Sequence, residues 1–137
     1  MAAGQELPDC VRGIVADCGF TSAWDEFTYK LGEMKVPAHP LIELVNAFNK
    51  VYAGYDFGKD TSAIDAVRRA KIPMLFVHGA ADTFVPTKMV YELYDACACP
   101  DKDILVVEGA DHAASFITDQ PAYEAKLDAF IDKYVRD

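Results

Sequence analysis

Three short apolar runs, each closing at a glycine, constrain this chain more than anything else in it. They are Val11-Arg12-Gly13-Ile14-Val15-Ala16-Asp17-Cys18-Gly19, Ile72-Pro73-Met74-Leu75-Phe76-Val77-His78-Gly79 and Asp103-Ile104-Leu105-Val106-Val107-Glu108-Gly109. Short β-branched and aliphatic runs of this kind suit parallel strands covered on both faces better than half-exposed antiparallel ones. Pro73 stands near the start of the second run, where a missing N–H does least harm. Between the second and third runs, Val90, Leu93, Tyr94 and Cys97 recur at the 3,4 spacing of an amphipathic helix over Thr87 to Ala98, opening near Pro86 and Thr87. After the third, Tyr123, Leu127, Phe130, Ile131 and Tyr134 make one stripe over Ala122 to Val135, with Pro121 suited to the first turn. Strand, helix, strand, helix predicts βαβ crossovers onto one sheet. The expected class is therefore α/β, in three layers, with a parallel sheet of at least three strands and flanking helices.

The stretch from Phe20 to Ala70 departs from this rhythm. It is rich in aromatics and reads as helical pieces broken at Pro37, Pro40 and around Gly54 to Gly58. Leu41, Leu44, Val45, Phe48 and Tyr52 form a helical apolar face, and Ser62 is placed to cap a short helix running through Arg69. Too long for a simple crossover, residues 21–70 are expected to form a cap-like helical insertion over the strand ends. The whole of 1–137 is expected to be a single domain, since no repeat or low-complexity tract divides it.

Net charge excludes some partners. The formal charge is −9, from 13 Lys and Arg against 22 Asp and Glu. Nucleic acid and anionic membranes are bound mainly through basic patches, so neither is expected as a partner. The four cysteines, Cys10, Cys18, Cys97 and Cys99, lack the paired spacing of a structural zinc site and read as thiols of a reducing compartment. His39, His78 and His112 supply no ligand pair at helical spacing, so no metal and no cofactor are expected. The first residues carry neither a basic cluster nor an apolar run, and the expected location is cytoplasmic.

Chemistry-bearing residues gather just past the second and third runs, at His78-Gly79-Ala80-Ala81-Asp82-Thr83-Phe84-Val85-Pro86 and Gly109-Ala110-Asp111-His112. Open parallel sheets collect functional residues at the carboxyl ends of their strands, and adjacent parallel strands bring Asp82 and His112 to one edge. Asp111 competes for the acid role, but a sequence neighbour seldom points at the same imidazole nitrogen. His78 is placed for packing or turn stabilisation, and His39, between two prolines, is expected at the surface. Ser22 and Ser115 lie near strand ends without the glycine elbow of a nucleophile.

Together with Asp17-Cys18-Gly19-Phe20-Thr21-Ser22, these segments resemble the α/β-hydrolase superfamily, closest to its serine-aminopeptidase-like and dienelactone-hydrolase-like branch. The resemblance covers nearly the whole chain but only the C-terminal half of that fold, a partial α/β-hydrolase fold. It implies that Asp82 is the acid and His112 the general base of a triad that runs Ser, Asp, His in chain order. No Gly-x-Ser-x-Gly occurs. The resemblance therefore implies a C-terminal fragment of a serine hydrolase, cleaving small-molecule esters or amides by acyl transfer in its parent and inactive alone. Residues 1–8 then resemble the tail of the helix that follows the missing elbow. A non-catalytic binding module that uses the aromatic insertion, with Phe20, Trp24, Phe27, Tyr29, Phe48, Tyr52, Tyr55 and Phe57 as its ligand surface, is the alternative. Val11 to Cys18 would have lost its neighbouring strand, and a bare apolar edge predicts self-association there.

Overall fold

The computed structural model describes residues 2–136. Its elements run β1 (Ile14–Asp17), α1 (Ala23–Glu33), α2 (Leu41–Tyr52), α3 (Phe57–Asp60), α4 (Ala63–Val67), β2 (Met74–Gly79), α5 (Lys88–Ala96), β3 (Lys102–Val107), α6 (Ser115–Thr118) and α7 (Gln120–Tyr134). The strands form one parallel sheet in the order β1-β2-β3. Register pairs Asp17 with Val77 and Gly79 with Val107, which sets the three carboxyl ends close together along one sheet edge.

β2 is central, and all six of its residues are buried. Its pleat sends alternate side chains to opposite faces. Met74 and Phe76 meet Val67, Ala70, Val90, Leu93 and Cys97 from the α4 and α5 side. Leu75 and Val77 meet Phe130 of α7, backed by Leu105 and Leu127. This is the expected three-layer α/β arrangement. Each fully buried large side chain here contributes about 1.5–3 kcal/mol relative to exposure.

Coverage of both faces holds for β2 alone, which corrects the expectation for the outer strands. Val15 of β1 is 41% exposed, and β3 is mostly half-buried. The α7 core packs on Leu75, Val77 and Leu105, and Val15 is outside it. Among the described residues β1 has one strand neighbour, β2, so its far edge carries no partner strand.

The insertion is helical, as its pattern predicts. Ser22, Asp56 and Ser62 accept the first-turn N–H groups of Asp25, Gly58 and Asp65 as N-caps. α4 stops at Val67, short of Arg69. Gly54 supplies the positive φ of 73° that turns the chain after α2. The apolar face expected for α2 is not buried: Phe48 is 60% and Tyr52 75% exposed, and Leu41, Leu44 and Val45 are also exposed. The buried residues of α2 are Ile42 and Asn46. Asn46 decides the orientation, because its amide oxygen accepts the Phe57 N–H at 2.8 Å and its amide nitrogen donates to Asp56 Oδ1 at 3.0 Å. The start of α3 thus claims the polar side of α2 and leaves much of the stripe in solvent. Phe27, Leu31, Leu41, Ile42, Val45 and Phe57 line an apolar cavity of about 270 Å³ between α1, α2 and α3. Of the aromatics expected to line such a pocket, Phe27 and Phe57 do so, while Phe48 and Tyr52 stack on each other at the surface.

Ala2–Gly4 form a single 3-10 turn packed near α4. Met1 lies outside the described residues. No helix among the described residues is long and apolar enough to cross a membrane.

Candidate active site

Asp82 opens the turn that follows β2, and its carboxylate organises that turn. Oδ1 accepts the N–H groups of Phe84 at 2.9 Å and Val85 at 2.8 Å. Oδ2 lies 2.9 Å from His112 Nδ1 and 3.2 Å from His78 Nε2. His78 Nε2 is also 3.0 Å from the Val85 carbonyl, which can only accept, so this nitrogen carries a proton and donates. Three hydrogen bonds therefore reach a carboxylate whose side chain is fully buried, with the His78 ring against it. They compensate its desolvation and fix its orientation. The same logic places a proton on His112 Nδ1, directed at Asp82. His112 Nε2 is then the free lone pair of the ring, on a side chain 36% exposed.

Gly79 lets the third strand's loop come this close. A Cβ there would lie 2.3 Å from the Ala110 carbonyl oxygen, so only glycine admits the Ala110–His112 backbone against β2. Gly109 at φ 73° and Ala113 at φ 55° turn the chain on either side of His112. Phe84 packs its ring 4.8 Å from the His112 ring. The insertion reaches the same loop: Lys30 of α1 donates to the Thr83 carbonyl at 2.9 Å and lies 4.5 Å from the Phe84 ring centre.

The structure brings Asp82 and His112 together and turns the Asp111 carboxylate elsewhere. Asp111 faces backbone, accepting from His112 N at 2.8 Å and Thr83 N at 3.3 Å, and these bonds hold its carboxyl below the usual range. His78 braces the turn, in keeping with its expected role. His39 is exposed and pairs with Glu43 one turn on. Neither serine hydrogen-bonds His112: Ser22 Oγ is engaged with Asp25, and the buried Ser115 hydroxyl has no hydrogen-bond partner.

Two residues at the site were not foreseen. Cys18, at φ 53° just past β1, accepts the Ala113 N–H at 3.2 Å and donates to Asp17 Oδ1 at 3.3 Å. Burial pushes its thiol up to about 11. One ligand atom each from Cys18, Asp82 and His112 lies within 4.8 Å of the other two. The strand-end rule that singled out Asp82 and His112 applies equally to Cys18 and could have found it. Glu26 on α1 is 9% exposed, and neither carboxylate oxygen has a hydrogen-bond partner. Burial raises its proton affinity, with Asp82 and His112 both close enough to act on its charge. Nothing in the local sequence marks it.

The family model described as "Serine hydrolase (FSH1)" matches residues 11–113. YqkD of Bacillus subtilis (strain 168) is 27% identical over 131 residues, covering 95% of this chain and 42% of that protein. The Pyrococcus furiosus esterase Pf2001 superposes with a TM-score of 0.64 at 18% identity, covering 90% of this chain and 46% of the esterase. The Pyrococcus horikoshii acylaminoacyl peptidase gives 0.62 at 15% identity, covering 96% and 20%. At such identities the two structures speak for the fold alone. The chain spans less than half the length of each of these relatives.

Proposed function

Because the chain belongs to the FSH1 serine hydrolase family, within the α/β-hydrolase superfamily, we propose that Asp82 and His112 are the acid and general base of an acyl-transfer triad. The observation that carries this reading is the 2.9 Å hydrogen bond from His112 Nδ1 to a buried Asp82 carboxylate that the Phe84 and Val85 amides also hold. In the proposed mechanism His112 Nε2 takes the proton of a serine hydroxyl as that oxygen attacks an ester or amide carbonyl. It later returns the proton to the leaving group, while Asp82 keeps the ring's tautomer and stabilises the imidazolium. The Phe84 and Val85 amides, with the His78 ring packed against the carboxylate, keep Asp82 from rotating.

The serine and the amides that would hold the oxyanion come, in this reading, from outside these 137 residues. The 137 residues alone are then without triad activity, and the substrate of the whole protein is a small-molecule ester or amide. The test is hydrolysis of a short activated ester, by this chain and by a longer natural protein that contains it. In the longer protein Asp82→Asn should lower turnover about 10⁴-fold and His112→Ala about 10⁶-fold. Hydrolysis by the chain alone should match that of its own His112→Ala variant. Robust activity of the isolated chain that vanishes with His112→Ala would refute the proposed division.

A further inference from the structure

Acyl transfer by serine uses neither the Cys18 thiol nor the Glu26 carboxylate, yet the fold brings both to the His112 dyad. Cys18 and Ala113 are two of only three non-glycine residues with positive φ among the described residues, and they are joined by the Ala113 N–H to Cys18 Sγ bond. Left-handed backbone at non-glycine residues is held only where the surroundings impose it, and it clusters at ligand-holding sites. Here it sets a sulfur beside an imidazole and a carboxylate, with one donor atom from each within 4.8 Å of the others. Independently, Glu26 presents a buried carboxylate with no donor on either oxygen, and both Asp82 and His112 act on its charge. An unpaired buried carboxylate is costly, and a cation would relieve it.

We propose that Cys18, Asp82 and His112 form a site for a single borderline-soft divalent cation of the Zn²⁺ class. Thiolate, imidazole and carboxylate together are the donor set that Zn²⁺ takes, and a hard cation such as Mg²⁺ would avoid the sulfur. The three donors sit at the ends of β1, β2 and β3, a rigid platform, which is why no ligand spacing in the sequence announces them. Binding is an exchange with no redox step: the Cys18 thiol proton leaves to solvent, the His112 proton now on Nδ1 beside Asp82 moves to Nε2, and sulfur, the freed imidazole nitrogen and a carboxylate oxygen donate to the cation. A cation held there engages His112, so in a hydrolase that uses this histidine as its base it acts as an inhibitor. The cation site itself does not depend on the triad reading, because it is tested by binding.

The experiment adds Co²⁺, as an optical probe of thiolate ligation, and Zn²⁺, by calorimetric titration, to the untagged, metal-free chain. Wild type should take up one equivalent of Zn²⁺ and show a near-ultraviolet thiolate-to-cobalt charge-transfer band. Cys18→Ser should abolish the band. His112→Ala should weaken Zn²⁺ binding about tenfold or more, on the scale seen when even supporting residues of a metal site are removed. Glu26→Gln should weaken it while keeping the band, and Cys10→Ser, which alters the exposed cysteine, should change neither. Circular dichroism without metal identifies any variant that fails to fold; if Cys18→Ser does, the half-exposed His112→Ala decides. A band that follows Cys10, no saturable uptake of one equivalent, or undiminished binding in His112→Ala overturns the proposal.

Discussion

Gly79→Ala tests the joint on which both fold and site depend. The added Cβ would stand 2.3 Å from the Ala110 carbonyl oxygen and 2.8 Å from both the Ala110 carbonyl carbon and the Asp111 carbonyl oxygen. All three are backbone atoms, so no side chain can rotate away and the Ala110–His112 segment must shift as a unit. Overpacking of this kind costs about 1–3 kcal/mol, and a clash against backbone on a fully buried strand belongs at the upper end. For a chain of 137 residues, ~3 kcal/mol corresponds to a fall in Tm of about 12 °C, taking about 4 °C per kcal/mol. Gly32→Ala in α1 is the control, since a Cβ there meets nothing within 4 Å. Removing a helical glycine's excess entropy should raise stability by about 0.5–1 kcal/mol. Urea unfolding followed by far-ultraviolet circular dichroism gives both midpoints. Unfolding of Gly79→Ala within about 0.5 kcal/mol of wild type would mean that backbone is not what lies against Gly79.

Two further predictions rest on other parts of the molecule. Burial raises the Glu26 carboxyl above its ordinary 4.5, so the native state holds that proton more tightly than the unfolded chain does. Stability associated with Glu26 is therefore present below pH 4.5 and is lost as pH rises through the raised native value. Glu26→Gln should increase Tm at pH 7 and not at pH 4; an increase of equal size at both pH values would contradict the assignment. The open edge of β1, with Val15 41% exposed, should drive self-association at micromolar concentration, and Val15→Lys should shift sedimentation toward monomer. A wild type that sediments as a strict monomer would rule that edge out.

Much of this architecture is legible in the sequence because it follows from local rules. β1 and β2 fall inside the first two apolar runs and β3 starts one residue before the third, since strands of a parallel sheet are built from such short aliphatic runs. α5 and α7 lie on the stripes beginning at Val90 and Tyr123. Asp82 and His112 are visible because they follow strands that must end on the same sheet edge, and Pro37, Pro40 and Gly54 mark the breaks of the insertion through backbone chemistry. The face of α2 differs from its periodicity for an equally physical reason. Periodicity shows that Leu44, Val45 and Phe48 share a side, but it carries no information about which neighbour arrives there. Asn46, a polar residue in an apolar helix, gave no warning that it would bond the start of α3.

The sequence by itself thus determined the strands, the helices and the two strand-end residues proposed for catalysis, because each depends on short-range pattern and parallel connection. Only the tertiary structure set Asp82, and not Asp111, against His112 Nδ1, with the Asp111 carboxylate spent on the backbone of Thr83 and His112. It alone brought Cys18 to Ala113 across 95 residues and buried Glu26 without a partner. Such contacts follow from how separate elements pack, and packing depends on every neighbouring surface at once, which no local pattern records.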